Sequence, residues 1–212
     1  MICVSLAEKD PAKCLETIEK VDMAEIRIDL SGMTDEEIVR VFSCRKKIIA
    51  TCRPGKYSDA ERMHKLKIAI GAGATFVDLE YEAPLDFRIA MIDYAHQHQC
   101  DVIISYHNYE KTPELDELEH IMQRCFEQGA DLAKIATMVN VNRDNSKILS
   151  LYKAPGRLVA LGMGELGKIS RIVAPFLGAE FTYASLNEDS ATGPGQISYS
   201  RLNQFIIDIQ QI

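Results

Sequence analysis

Apolar runs with strand character alternate with amphipathic segments from one end of the chain to the other. Eight runs of mostly β-branched and apolar residues predict strands at 2–6, 24–30, 47–53, 76–81, 101–107, 132–138, 157–163 and 180–186. A segment of helical periodicity follows each run, at 12–20, 34–42, 58–72, 86–98, 114–128, 142–151, 167–177 and about 198–211. Eight strand–helix units in 212 residues predict an α/β fold, a compact (β/α)8 TIM barrel, with residues 1–212 in a single domain.

A doubly wound open sheet is the alternative that this alternation allows. The chain has no glycine-rich phosphate loop after the first strand, and no linker-like stretch interrupts its eight regular repeats. Both features favour the barrel. Helix signals agree with the boundaries, since Thr34 and Thr112 precede acidic first turns as N-caps, and Gly129 stands where a C-cap is expected.

Charged residues occupy one face of the second strand. Glu25, Arg27 and Asp29 alternate with apolar residues along 24–30. In a closed barrel the apolar face of a strand must meet the outer helices, so the charged face points inward. The same placement is predicted for charged residues of the third and fourth strands, namely Arg53, Asp78 and Glu80.

This accumulation of inward charge predicts a site for a polar ligand. Burying unpaired charge is costly, so the charges must pair with one another and serve a ligand. The alternative is that these strand faces are solvated, which requires four strands to be misplaced in register. The longest irregular stretch, 187–195, follows the eighth strand and lies at the end of a barrel where active sites form.

Two residues that can do chemistry lie on consecutive strands. Lys134 stands in the middle of the apolar run 132–138, and His107 ends the run 101–107. Desolvation and nearby cations such as Arg27 and Arg53 would lower the pKa of the lysine and provide a Schiff-base nucleophile. The histidine would then act as general acid and base beside the iminium. The alternatives are a lysine paired structurally with a carboxylate and a histidine that is part of the core.

Two polar residues near the end of the chain extend the candidate site. Arg171, after the seventh strand, has the planar fork that binds a carboxylate. Gln196 ends the loop after the eighth strand and could close over a ligand. Their alternatives are an arginine on a helix surface and a glutamine that begins the last helix.

Composition and charge narrow the class of protein. A net charge of −7 and a pI near 5.3 argue against nucleic acid or an anionic membrane as the main partner. The sequence has no run of transmembrane length, and its first residues lack the features of a signal peptide. Six scattered cysteines show no metal-ligand spacing, which indicates a reducing cytoplasm and no zinc site.

Seven short motifs, in the same order over nearly the whole chain, resemble those of the type I 3-dehydroquinate dehydratases. They are Glu25-Ile26-Arg27-Ile28-Asp29, Thr51-Cys52-Arg53, Asp78-Leu79-Glu80, Ser105-Tyr106-His107-Asn108 with Thr112-Pro113, Lys134-Ile135-Ala136, Gly167-Lys168-Ile169-Ser170-Arg171, and Gly193-Pro194-Gly195-Gln196. The resemblance implies a lyase without metal or cofactor that converts 3-dehydroquinate to 3-dehydroshikimate, and it implies a homodimer.

The resemblance also implies roles for individual residues. Lys134 would form an imine with the C3 ketone, and His107 would remove a C2 proton and then protonate the departing C1 hydroxyl. Arg171 would bind the substrate carboxylate, and Asp78 would orient the histidine. The remaining substrate contacts that it implies are Ser5, Glu25, Arg27, Arg53, Thr192 and Gln196.

One position departs from the family pattern. Many members have a glutamate four residues after the strand-3 arginine, where it helps to tune the histidine, and this chain has Tyr57 there. Asp78 or Glu80 would have to replace that carboxylate. Two other functions remain open: an aldolase-type Schiff-base barrel, which would need a phosphate site after strands 7 and 8, and a non-catalytic barrel that only binds a ligand.

Overall fold

Eight parallel strands form one sheet in the order β7-β6-β5-β4-β3-β2-β1-β8, in a computed structural model that describes residues 1–211. The strands are β1 (Ile2–Leu6), β2 (Met23–Arg27), β3 (Lys47–Thr51), β4 (Phe76–Glu80), β5 (Asp101–Asn108), β6 (Leu132–Met138), β7 (Leu158–Met163) and β8 (Thr182–Ser185). The edge strands approach each other where Glu180 N, just before β8, donates to the carbonyl of Leu158 at 3.1 Å. The sheet is therefore a nearly closed barrel, which confirms the predicted (β/α)8 architecture.

Helices connect the strands and cover the outside of the barrel. They are α1 (Pro11–Glu19), α2 (Ile28–Ser31), α3 (Asp35–Phe42), α4 (Asp59–Ala72), α5 (Leu85–Gln97), α6 (Leu115–Glu127), α7 (Asp144–Ser150), α8 (Lys168–Val173) and α9 (Tyr199–Gln210). Short 3₁₀ segments extend α7 at Leu151–Lys153 and α8 at Ala174–Leu177. The predicted helices at 142–151 and 167–177 are therefore each an α-helix with a 3₁₀ end.

Two apolar layers hold the barrel together. The outer layer lies between strands and helices and contains alternate strand residues such as Ile26, Ala50 and Ile135. The inner layer fills the barrel at the amino-terminal ends of the strands with residues such as Met23, Phe76 and Phe181. Polar side chains occur on the same inward positions nearer the carboxyl ends, because the inward face repeats every second residue.

The second strand is shorter than its alternating pattern predicts. It ends at Arg27, and residues 28–31 form one helical turn that closes at Gly32, whose φ is +70°. Asp29 therefore does not continue the inward strand face. Its carboxylate instead accepts two hydrogen bonds from Arg27, at 3.0 and 2.6 Å, and Leu30 is exposed to solvent. The helical turn brings Asp29 back to Arg27, so the two charges pair at the end of the strand.

The helix signals give one confirmation and one correction. Thr34 caps α3 in a capping box with Glu37, as its sequence predicts. Thr112 does not cap α6, since that helix begins at Leu115. The Thr112 hydroxyl instead donates to the carbonyl of Met138 at 2.8 Å, and so fastens the loop after β5 to the end of β6.

Candidate active site

A cavity opens at the carboxyl ends of the strands, where the polar inward positions converge. Its empty volume, counted out to the open mouth, is about 550 Å³. Eight of the ten residues predicted for the site line it: Glu25, Arg27, Arg53, His107, Lys134, Arg171, Thr192 and Gln196. Asp78 and Ser5 are not among the lining residues, because their side chains are covered by neighbours.

The amine of Lys134 has three polar neighbours inside the barrel. Lys134 is 5% exposed, and its Nζ lies 2.8 Å from Asp78 Oδ2, 3.0 Å from Tyr183 Oη and 3.4 Å from Glu25 Oε1. The sequence led us to expect cations beside the amine, but its direct contacts are carboxylates and a phenol. The lysine therefore belongs to an ion-pair network and also borders the open cavity, and its role as a nucleophile remains a prediction.

A line of alternating charges runs from this amine to the outer helices. Asp78 Oδ1 lies 3.0 Å from Arg53 Nη2, and Arg53 Nη1 donates to Glu80 at 2.9 Å. Glu80 also accepts a hydrogen bond from Arg62, a buried side chain of α4. Although burial alone would raise the pKa of Asp78, Arg53 and Lys134 together hold the pKa of that carboxyl well below its ordinary value. Asp78 is therefore ionised throughout the working range of pH.

His107 lies near the mouth of the cavity, one residue before the end of β5. In the register of the sheet Ser105 is opposite Lys134, and His107, two residues further along β5, is opposite Ala136. Burial, and next the positive charges of Arg53 and Lys134, lower the pKa of His107 well below 6.5. Asp78 opposes this shift but does not reverse it. The imidazole is therefore neutral near pH 7 and can accept a proton.

Both carboxylate oxygens of Asp78 are already occupied by other groups. Oδ1 accepts from Ser105 at 2.6 Å and lies 3.0 Å from Arg53 Nη2, and Oδ2 faces Lys134. Among the residues that the structure describes, no hydrogen bond joins Asp78 to His107. The predicted orientation of the histidine by Asp78 remains a prediction, and only the electric field of the carboxylate reaches the ring in this arrangement.

Glu25 is fixed from below by hydroxyl groups. Ser5 donates to Glu25 Oε2 at 2.6 Å, and Thr51 donates to Oε1 at 3.0 Å. Thr192, in the loop after β8, donates to Ser5 at 2.8 Å. Ser5 therefore supports Glu25 and the loop, and its predicted contact with a ligand remains a prediction.

The loop after β8 covers one side of the cavity. A Cβ atom on Gly195 would overlap the backbone of Gly164, so the loops after β8 and β7 touch backbone to backbone. Gln196 Oε1 accepts from the backbone N–H of Thr192 at 2.8 Å, which holds both predicted side chains over the opening. This close approach explains why residue 195 is a glycine.

Arg171 is a buried cation with no carboxylate among its described contacts. It is 2% exposed, and its guanidinium donates only to the carbonyl groups of Pro194 at 3.2 Å and Tyr183 at 3.5 Å. Its Nε has no hydrogen-bond partner within the described part of the chain. Burial lowers the pKa of Arg171 to about 10. A charged group in this state has the chemistry of an anion-binding site.

Two residues of this site were missed from the sequence. The alternation of 180–186 would have predicted an inward Tyr183, because Phe181 and Tyr183 share the inward face of that strand. This strand carries no inward charge, and only charged strand faces were used to predict the site. Arg62 carries no comparable signal. It belongs to α4, and only the fold shows that its side chain reaches back to the strand ends.

Comparison with known proteins identifies the family. A family model described as type I 3-dehydroquinase matches residues 2–212. The chain belongs to this family. A 3-dehydroquinate dehydratase of Methanococcus maripaludis strain C5 is 35% identical over 97% of this chain and 98% of its own length. One from Methanocaldococcus jannaschii is 34% identical over 96% of both.

A solved structure supports the fold independently. The type I 3-dehydroquinate dehydratase of Clostridium difficile superimposes with a TM-score of 0.87, over 99% of this chain and 92% of its own, at 24% identity. At that identity the likeness establishes the barrel and no more. Within residues 1–211, none of the helices has the length and apolar character to cross a membrane.

Proposed function

We propose that this chain dehydrates 3-dehydroquinate to 3-dehydroshikimate through a Schiff base on Lys134. The observation that carries this proposal is the meeting of three groups in one cavity: the buried amine of Lys134, the imidazole of His107 and the buried guanidinium of Arg171. The first provides a nucleophile, the second a base and the third a carboxylate clamp. Membership of the type I 3-dehydroquinase family specifies the substrate.

The chemistry has four steps. Lys134 Nζ adds to the C3 ketone, and loss of water gives the iminium ion. His107 removes a proton from C2, and the electron pair is stabilised by conjugation with the iminium group. The protonated histidine then delivers that proton to the C1 hydroxyl, which leaves as water while the C1–C2 double bond forms. Hydrolysis of the imine releases the product and regenerates the amine, without a cofactor or metal.

The remaining residues of the cavity would hold the substrate. Arg171 takes the carboxylate in a fork, because no carboxylate within residues 1–211 pairs with its buried charge. Ring hydroxyls are then bound by groups on the other side of the cavity and on the covering loop, namely Glu25, Arg27, Arg53, Thr192 and Gln196. Ser5 would join them from below, where it bonds to Glu25 and Thr192. The mixed signs of these groups suit a neutral, hydroxylated ring.

Histidine tuning in this chain would not need the family's usual carboxylate. Tyr57 stands at that position, with its ring 5.1 Å from the ammonium of Lys56 and 5.2 Å from that of Lys65. Without an adjacent carboxylate, His107 stays a neutral base, and the field of Asp78 offsets part of the influence of the cations.

The family resemblance also implies a cytoplasmic homodimer. Light scattering at several protein concentrations would test whether the chain is a dimer.

Borohydride reduction in the presence of 3-dehydroquinate tests the function. The expected result is an intact-mass increase of one reduced ligand, mapped by peptide analysis to Lys134. Lys134→Met should lose the adduct, whereas Lys147→Met should keep it, since Lys147 pairs with Glu114 on the outer helices. An unmodified wild-type protein at saturating substrate excludes the imine mechanism, and an adduct on another lysine excludes the assignment to Lys134.

A further inference from the structure

The hydroxyl of Tyr183 lies between the amine of Lys134 and the carboxylate of Glu25. Its oxygen is 3.0 Å from Lys134 Nζ and 3.4 Å from Glu25 Oε1. A phenol can accept a hydrogen bond from an ammonium group while it donates one to a carboxylate. The geometry therefore gives a continuous hydrogen-bonded path from the nucleophile to a buried carboxylate.

The ring of Tyr183 is held in one position. Tyr183 is on β8 and is 3% exposed, and its ring packs edge to face against Phe181 with centroids 5.5 Å apart. The ammonium of Lys134 lies 4.2 Å from the centroid of the same ring. A phenylalanine would fill this space equally well. Burying the hydroxyl of a tyrosine would cost free energy without hydrogen bonds, and here Lys134 and Glu25 provide them. What distinguishes tyrosine from phenylalanine at this position is therefore the hydroxyl and its two hydrogen bonds.

Imine formation creates a need for such a path. The amine must be neutral to attack a ketone, yet Lys134 forms ion pairs with the carboxylates of Asp78 and Glu25, and these pairs need its ammonium form. The proton that leaves the amine is needed again later, when the oxygen of the carbinolamine departs as water. A group beside the amine must therefore hold one proton for a short time.

We propose that Tyr183 is a catalytic residue that carries a proton between Lys134 and Glu25 during imine formation. This inference rests on the proposed function. The hydroxyl takes a proton from the ammonium group as it gives its own proton to Glu25, so the amine and the carboxyl both become neutral. The amine then adds to the C3 carbonyl carbon, the C–N bond forms, and the former carbonyl oxygen takes a proton from the nitrogen.

The second half of the relay runs in the opposite direction. The proton on Glu25 returns through the Tyr183 hydroxyl to the carbinolamine oxygen, the C–O bond breaks and water leaves. The nitrogen lone pair forms the C=N bond, which leaves an iminium ion and an ionised Glu25. The proton first carried by Lys134 thus ends on the released water, and no external acid or base is consumed.

The electrostatics of the buried site favour this exchange. Burial raises the pKa of Glu25, and the charge of Lys134 is the main influence that keeps the pKa low. Glu25 therefore becomes a better proton holder as Lys134 loses its charge. Burial, and next the charge of Glu25, raise the pKa of Tyr183 well above 10, so the phenol acts through concerted transfer and stays protonated overall.

Rapid-quench borohydride trapping of Tyr183→Phe tests the relay. With saturating 3-dehydroquinate, the adduct on Lys134 should form about 100-fold more slowly in this variant than in the wild type, the usual size of an acid–base contribution. Tyr152→Phe is the matched control, because it also removes a phenol hydroxyl, a partly buried one that bonds to the backbone of Ala160 on β7. That control should form the adduct at the wild-type rate.

Each other outcome overturns the relay in a recognisable way. A wild-type rate in Tyr183→Phe shows that the hydroxyl carries no proton, and equal slowing in both variants assigns the effect to packing. A wild-type protein without any adduct removes the proposed function and the relay with it. If Tyr183→Phe does not fold, adduct formation by the wild type is compared in H2O and D2O, and an identical rate in the two solvents overturns the relay.

Discussion

The carboxylate of Asp78 lies 2.8 Å from the amine of Lys134, and its other oxygen is 3.0 Å from Arg53. One fully buried anion thus neutralises two cations that border the cavity. Removal of its charge leaves both cations with one carboxylate each, Glu25 for the lysine and Glu80 for the arginine. We therefore expect substitution of Asp78 to change both the stability of the barrel and the charge state of the candidate site.

We expect Asp78→Asn to lower the free energy of unfolding by about 3 kcal/mol, because breaking a buried ion pair strands its partners. Urea denaturation measures this change. The control is Asp35→Asn, since Asp35 is half-exposed beside His64 and Lys65 and should contribute less than about 1 kcal/mol. Similar losses in the two variants would contradict the role of the buried network.

The pH dependence of kcat/KM should show an acid limb well below pH 6.5. Burial, Arg53 and Lys134 lower the pKa of His107, and the proposed base is active when neutral, so activity falls only as pH drops through that lowered value. For the same reason the unfolded chain binds more protons at His107 in the window below 6.5, and the contribution of this residue to stability falls as pH decreases there.

Arg53→Gln should move the acid limb toward pH 6.5, because Arg53 is the largest charge influence on His107 after burial. Arg157→Gln is the control. Arg157 pairs with Asp101 and Glu180 at the opposite end of the barrel and should leave the profile unchanged. A wild-type acid limb centred at or above pH 6.5 would contradict the neutral histidine.

His107→Ala should separate imine formation from turnover. The hydrogen bonds of the Lys134 amine within residues 1–211 go to groups other than the imidazole, so the variant should still form the reducible adduct while kcat falls by about 100-fold or more. Intact mass after borohydride treatment and steady-state assays measure the two quantities. Wild-type turnover would remove His107 from the mechanism. His120→Ala is the control, because His120 is on the exposed face of α6.

Arg171→Met should weaken substrate binding without the stability loss that is usual for a buried charge. No carboxylate among the described residues pairs with Arg171, so the substitution leaves no opposite charge stranded, and we expect a change in unfolding free energy within about 1 kcal/mol. KM for 3-dehydroquinate should rise about 100-fold through loss of a charge-assisted fork. Unchanged KM in Arg171→Met would exclude the carboxylate clamp.

The sequence predicted much of the barrel and the composition of the cavity through one property, the two-residue repeat of strand faces. Lys134, His107 and Glu25 are inward by that repeat, and the apolar residues between them could only face helices. The repeat does not show which inward side chains reach the cavity and which are covered below it. Ser5 and Asp78 are inward too, but hydrogen bonds to Glu25 and Lys134 cover them below the cavity, and such bonds depend on the register between strands.

Two side-chain arrangements outside the strands, those of Asp29 and Arg62, were beyond prediction. The turn after β2 pairs Asp29 with Arg27 through a helical conformation that an alternating pattern does not reveal. Arg62 is part of a helix with ordinary polar spacing, and its fully buried guanidinium becomes visible only when α4 packs against β3 and β4. Tertiary packing, which joins distant segments, determines both contacts.

Arg62 is expected to position Arg53 for substrate binding. Its guanidinium donates to the carbonyl of Cys52 at 2.8 Å and bonds to Glu80, and its plane lies 4.8 Å from the ring of Phe87. Glu80 in turn holds Arg53 at 2.9 Å. Because Arg53 lies two residues beyond the end of β3, its contacts with the side chains of Glu80 and Asp78 fix the direction of its own side chain.

Arg62→Met should therefore raise KM for 3-dehydroquinate about 10-fold with a smaller change in kcat, in assays at a temperature where the variant is folded. Arg62→Lys should recover only part of the loss, because an ammonium group cannot donate to Cys52, Asp59 and Glu80 from one plane. Arg88→Lys is the control, because Arg88 is a buried arginine of α5 that donates to the carbonyls of Tyr81 and Ala83, which do not line the cavity. Equal KM values for wild type and Arg62→Met would show that Arg53 keeps its direction without this support.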